Sequence, residues 1–214
     1  MEPALIIPDP CLSRLASLHI SASCYDILTI RAMDEDNNEL WSAEDIDVDA
    51  QLLVDYMLLQ VGATGLTSLV LTNVPLRSLG NLELMDSLLT GWKNLTALAF
   101  VGCRNIRHWL VLLAIGSFPV LQTLTISHSD YHLPSLVDML VDRAKRWDYP
   151  DLATIKFSRA LYNPVTKHPA WPVLVASVRE VRWEWCFCTM STRCWRAPLE
   201  DNTEVELDSD GSIS

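Results

Sequence analysis

One short phrase occurs five times in this chain. Leu66, Leu69 and Leu71 follow the pattern LxxLxL, and Leu95, Leu98 and Phe100 repeat it. Leu121, Leu124 and Ile126 come next, then Leu152, Ile155 and Phe157, then Val178, Val181 and Trp183. The phrases start at 66, 95, 121, 152 and 178, so successive gaps are 29, 26, 31 and 26 residues. A period of this size restricts the fold severely. Each unit is one supersecondary element that cannot bury its apolar face alone, so neighbours must stack. Strand alternation sends the leucines of LxL inward and the residues between them to the opposite face.

The period and the phrase together are the signature of leucine-rich repeats. The chain resembles leucine-rich repeat proteins of the ribonuclease-inhibitor-like, long-repeat kind over about Gln60 to Phe187. The expected fold is α/β: a curved solenoid of five to six repeats, with short parallel strands on the concave face and helices on the convex face. The stretch Leu121 to Ser158 is similar to the C-terminal repeats of fungal F-box proteins, the substrate receptors of cullin-type ubiquitin ligases. That resemblance implies substrate recognition for ubiquitin ligation. The chain lacks a recognisable F-box. The nearest phrase, Ile7-Pro8-Asp9-Pro10-Cys11-Leu12, is loose, and Pro10 interrupts a helix there. A repeat-only relative or a shortened product is therefore also open.

Helices are legible between the strands. Asn105 to Gly116 carries Ile106, Trp109, Leu110 and Leu113 on one face. Leu133 to Trp147 carries Leu136, Val137, Leu140, Ala144 and Trp147, with Pro134 suited to the first turn and an Asp142–Arg146 pair on the wet face. Asn81 to Trp92 and Asp49 to Val61 read as two more. Asn163-Pro164, Pro169 and Pro172 argue for a loop with at most a short turn near Val173 to Ser177. Upstream, Leu15, Leu18, Ile20 and Tyr25, Leu28, Ile30 suggest two strands, forming a hairpin or a degenerate cap. The resulting division is an irregular N-terminal cap over 1–60 with an acidic loop at 34–48 and a helix, repeats over 61–190, and an acidic, disordered tail over 191–214.

Half of the 214 residues are apolar, which suits a folded chain with a real core. The net charge of −11 is unevenly spread. Asp34 to Asp55 holds nine acids and no base, and six acids follow Arg196 with no base. Without those fifteen charges the remainder stands at +4. The acidic segments oppose nucleic-acid binding, because they repel phosphate or compete with it for basic surface. The most apolar run, Trp109 to Leu121, is too short to span a bilayer, and no signal peptide is read at the N-terminus. Six cysteines without a paired framework suggest reduced thiols and a cytoplasmic or nuclear location.

No motif here carries catalytic chemistry. Cys186, Cys188 and Cys194 lack the spacing of a zinc site. The ninth position of each unit holds Val74, Cys103, Ser129, Ala160 and Cys186, where a small residue serves the turn. Ser127-His128-Ser129-Asp130 has the letters of a hydrolase triad, but adjacency in sequence does not create triad geometry. No Walker loop or dinucleotide fingerprint is present. The expectation is therefore no enzyme, cofactor or metal, and a protein–protein interaction module. Its binding residues are expected on the concave face and rim: Thr123, Thr125, His128, Tyr131, Lys156, Arg159, Arg182, Glu184 and Trp185. The first three rows of that face are small and nearly uncharged, and the last two carry both signs. Trp185 reads first as cap packing, with an aromatic anchor as the alternative. The partner is a protein, with cullin-ligase subunits as the specific candidates; a free-standing scaffold or inhibitor and a truncated repeat fragment are the alternatives.

Overall fold

In a computed structural model, the structure describes residues 7–23, 27–47, 58–61, 65–74, 76, 92–115, 117–129, 131–145, 152–158 and 165–184. The strands are β1 (Ser17–Ala22), β2 (Ile27–Met33), β3 (Glu39–Asp47), β4 (Ser68–Thr72), β5 (Ala97–Val101), β6 (Thr123–Ser127), β7 (Thr154–Ser158) and β8 (Glu180–Glu184). They form one open, mostly parallel sheet in the order β3-β2-β1-β4-β5-β6-β7-β8. The described helices are α1 (Asp9–Leu12), α2 (Arg107–Ile115), α3 (Leu133–Ala144) and α4 (Trp171–Ala176); α1 corrects the expectation at Pro10, which sits in its first turn, where no N–H donor is required, and does not interrupt it. None of the described helices is long and apolar enough to cross a membrane.

The spacing of the leucine phrases is the register of the sheet. Ser68 pairs with Ala97, Ala97 with Thr123, Thr123 with Thr154, and Thr154 with Glu180. Equivalent positions therefore stack, and the inward pairs Leu69/Leu71, Leu98/Phe100, Leu124/Ile126 and Ile155/Phe157 are all at most 1% exposed. Below the strands, one carbonyl per unit accepts two N–H groups of the next. Ala16 O takes Thr67 and Ser68, Thr67 O takes Thr96 and Ala97, Thr96 O takes Gln122 and Thr123, and Gln122 O takes Ala153 and Thr154. The Thr67 and Thr96 hydroxyls donate to the same row of carbonyls.

Above β4, β5 and β6 the chain turns through one left-handed residue each. Asn73, Gly102 and His128 occupy the eighth position and have φ of 55°, 64° and 51°. Asn73 and Gly102 donate their N–H groups to the carbonyls of Val101 and Ser127. The ninth position is buried in these three units, at Val74, Cys103 and Ser129. The Cys103 N–H donates to Ser129 Oγ at 3.0 Å, and its thiol donates to Leu71 O at 3.1 Å. Burial pushes that thiol up to about 12, so it remains a protonated donor at neutral pH.

At the N-terminal end, β1 pairs in parallel with β4 and antiparallel with β2, and β2 pairs antiparallel with β3. This corrects the acidic loop expected over 34–48, because Glu39–Asp47 is a strand. The acids conceal an alternation in which Trp41 and Ala43 pack against the core while Ser42 and Glu44 are exposed. Asp34 makes the turn tight. Its side chain accepts the N–H groups of Asp36 and Asn38 and pairs with Arg14 at 2.9 Å. The Asn38 N–H, ahead of the other donors and Arg14, holds the Asp34 carboxyl below the usual carboxylate range.

The helices cover the inward face. Phe100 meets Trp109 of α2 edge-on at 5.5 Å, Trp109 stacks on Phe118 at 6.2 Å, and Trp92 meets Phe118 edge-on at 6.0 Å. The expected loop near 163–177 is corrected too: Trp171–Ala176 is helical, with Pro172 in its first turn, where no N–H donor is required, and Leu174 buried beneath it. The helix expected over 81–92 lies outside the described residues apart from Trp92. Of that over 49–61, the described residues 58–61 are helical. Arg146 and Trp147, and with them the expected Asp142–Arg146 pair, also lie outside them; Asp142 pairs with Lys145 at 2.9 Å.

A buried cation ties α3 to the end of α2. Arg143 is 3% exposed. Its guanidinium donates to the carbonyls of Ser117 at 3.3 Å, Phe118 at 2.9 Å and Pro119 at 3.4 Å. A positive charge there also meets the negative end of the α2 dipole. Replacing Arg143 by Met removes these donors from buried carbonyls, and we expect a loss of about 2–4 kcal/mol in chemical denaturation. A Cβ on Gly102 collides with Asn73 Oδ1 in a left-handed backbone. G102A is expected to cost about 1–3 kcal/mol in the same measurement; a loss below a few tenths contradicts this account of the turn.

Candidate binding face

The helix-free face of the sheet, the one that no described helix covers, is built by the residues between the inward leucines. One row crosses all eight strands: Ser42, Arg31, His19, Val70, Ala99, Thr125, Lys156 and Arg182 are successive pairing partners. A second row runs through Ser17, Ser68, Ala97, Thr123, Thr154 and Glu180. The centre is small and uncharged and lies lowest along β5, where Ala97 and Ala99 project only a methyl group. Charge lies on the two shoulders.

The structure brings Thr123, Thr125, Lys156, Arg182 and Glu184 onto this one face. Lys156 Nζ pairs with Glu184 at 3.1 Å, and Arg182 Nε pairs with Glu180 at 2.7 Å. The Arg182 hydrogen bond, then the Arg182 charge, hold the Glu180 carboxyl below its usual range. The C-terminal shoulder is thus internally paired, with its charges arranged in an order a partner can read.

His128 lies at the end of β6 as a half-buried turn residue. Its Nε2 is 3.1 Å from Ser158 Oγ, and its Nδ1 is buried without a hydrogen-bond partner among the described residues. Tyr131 departs from the expected rim position. Its ring stacks on Phe157 at 5.8 Å and packs against the core, and burial pushes its hydroxyl above the ordinary tyrosine range. Arg159 and Trp185 lie outside the described residues, as do Asp130, Ala160, Cys186, Cys188 and Cys194. Ser129 is committed to the turn, donating its hydroxyl to Ser127 O, and His128 meets Ser158, thirty residues away. Among the described residues no group of three His, Cys, Asp or Glu side chains is arranged to hold a metal ion.

Sequence reasoning missed the N-terminal shoulder. Ser17, His19 and Ser21 on β1, Thr29 and Arg31 on β2, and Ser42 and Glu44 on β3 extend the face by three strands. The signal was present in the alternation of Leu18 and Ile20 with polar neighbours. His19 Nε2 lies 2.9 Å from Thr72 Oγ1, and Arg31 Nη2 pairs with Glu44 at 3.3 Å.

Both histidines of the face are held below the ordinary histidine range, His19 by burial and then by the Arg31 charge, His128 by burial. A lowered folded value favours the neutral ring in the native state. Their contribution to stability is full above the unfolded value, about 6.5, and is lost as pH falls through the folded values. The melting temperature is therefore expected to fall between pH 8 and pH 5. The H19Q/H128N variant flattens that slope, with asparagine retained at 128 because it tolerates the left-handed turn, as Asn73 does. An unchanged slope refutes the assignment to these rings.

Compared with known proteins, the chain matches no family model, and no curated protein and no solved structure shows significant similarity to it. The reading of the face therefore rests on its own geometry and chemistry.

Proposed function

We propose that the chain is a leucine-rich repeat stack and works as a non-catalytic protein-binding module through the helix-free face of its sheet. The observation that carries this reading is the in-register row across eight strands, with a low, neutral centre and a charged shoulder at each end. Such a face excludes water over a broad area at its middle and discriminates by charge at its margins. The polar groups on it support a binding role more than a reactive one: Lys156, Arg182 and Arg31 face carboxylates, and His19 faces a threonine.

The resemblance of Leu121 to Ser158 to the C-terminal repeats of fungal F-box proteins gives the specific form of the proposal. The face recognises protein substrates for a cullin-type ubiquitin ligase, in the cytoplasm or nucleus. A free-standing scaffold or inhibitor uses the same face without the ligase.

Native affinity purification, with mass spectrometry of what co-elutes, distinguishes these readings. Stoichiometric recovery of cullin and adaptor subunits supports the receptor; recovery of other proteins without them leaves the free-standing module. Ala99→Arg places a long charged side chain at the centre of the face without touching the buried leucines. A centre of the usual hot-spot strength is worth about 2 kcal/mol or more, so partner recovery is expected to fall by about 30-fold. The circular-dichroism spectrum should be unchanged. Undiminished binding by this variant removes the face from the interaction.

A further inference from the structure

The strand at the N-terminal end of the sheet combines five features on one serine. Ser42 lies near the middle of β3, and its side chain is exposed. β3 is the last strand in the sheet order, so its outer edge is unpaired among the described residues. The inner pairing to β2 is interrupted on both sides of Ser42, with register shifts between Leu28 and Ile30 and between Ala32 and Met33. A strand held by a broken ladder separates more readily than one held by a continuous ladder. The chain following the serine reads Ser42-Ala43-Glu44-Asp45-Ile46-Asp47, with acids at the second, third and fifth positions and no base from Asp34 to Asp55.

The fifth feature is what faces Ser42. Arg31 is its direct cross-strand partner, and both side chains belong to the helix-free face. Arg31 is half-exposed and pairs with Glu44 at 3.3 Å. Ser42 Oγ donates to Glu39 at 2.6 Å. Paired residues on neighbouring antiparallel strands have Cα atoms about 4.5–5.5 Å apart. A group attached to Ser42 Oγ is therefore within reach of the guanidinium. A phosphate there adds a charge of about −1.5 to −2 and offers three acceptor oxygens, which a guanidinium takes in preference to a single exposed carboxylate.

We propose that Ser42 is a phosphorylation site for an acid-directed serine/threonine kinase, and that Arg31 then leaves Glu44 to hold the phosphate. In the transfer, Ser42 Oγ attacks the γ-phosphorus of magnesium-bound ATP. The new Oγ–P bond forms as the bond from that phosphorus to the β–γ bridging oxygen breaks. ADP leaves, and the hydroxyl proton passes to the kinase's base. The extended, acidic edge is the shape and charge that a basic substrate groove accepts. The product turns the balanced N-terminal shoulder negative: Arg31 pairs with the phosphate and Glu44 is released. This regulatory consequence rests on the binding-face reading; the modification and the phosphate–Arg31 pair do not.

The test uses the full chain, magnesium and ATP with an acid-directed kinase shown to be active on a standard acidic substrate. Tandem mass spectrometry is expected to find phosphate on Ser42, and S42A is expected to lose it. No phosphate on Ser42, with incorporation elsewhere or none, overturns the site. Phosphorus NMR titration of the phosphorylated chain tests the switch. The second ionisation of the phosphate should lie at least about half a pH unit lower than in the R31Q variant. Equal titration curves overturn the role of Arg31. Both readouts hold whether or not Ala99→Arg affects partner recovery, so failure here and failure of the binding-face reading are separable.

Discussion

The burial of two inward side chains per strand, shared between neighbouring strands, is the contact on which the rest of the molecule depends. Burying one such side chain is worth roughly 1.5–3 kcal/mol, and a five-residue strand contributes only two. Complete burial therefore requires a strand on each side and a covering helix or loop beneath. The inner strands β4 to β7 meet that condition, with inward positions at most 1% exposed. β8, at the end of the sheet, does not: Val181 and Trp183 are only partly buried. The opposite end is closed differently. β2 folds back antiparallel along β1 and supplies Leu28, Ile30 and Ala32, all fully buried. A parallel stack thus acquires a cover at one end by reversing chain direction twice, β2 against β1 and β3 against β2.

Backbone hydrogen bonding makes the stack regular as well as buried. The row of twice-used carbonyls from Ala16 to Gln122 fixes how far each unit lies from the next. The left-handed residue at the eighth position turns the chain under the sheet at the same height each time. The side chains there differ widely, a glycine, an asparagine and a histidine, because the position selects for a backbone conformation rather than for a contact. His128 meets that requirement and also hydrogen-bonds Ser158 on the next strand.

The face proposed for binding is the by-product of this architecture. Alternation leaves every second residue of each strand outside the core, and in-register stacking lines these residues into rows. Nothing in the core constrains their chemistry, so charge can collect at the shoulders while the centre stays small. The acidic strand β3 shows the same freedom. Its acids discourage edge-to-edge pairing with another sheet, and in the proposal above they also make Ser42 recognisable.

The five leucine phrases by themselves determined the parallel strands, their register and which residues face inward, because a two-residue period and a fixed repeat leave no alternative assignment. The helix over Arg107–Ile115 and the one beginning at Leu133 were legible for the same reason, from apolar spacing. What was not legible depended on partners distant in sequence. A charged run reads as a loop until Asp34 closes the turn and Trp41 finds a core to enter. Arg143 reads as a surface residue at the end of a helix until three carbonyls 24 to 26 residues earlier surround it. Tyr131 reads as a rim residue until Phe157 offers a ring to stack on. The face gained its N-terminal shoulder only when β1 met β4, 51 residues along the chain. Local periodicity is written in the order of the residues, whereas the burial of a charge or a ring depends on what the folded chain places beside it.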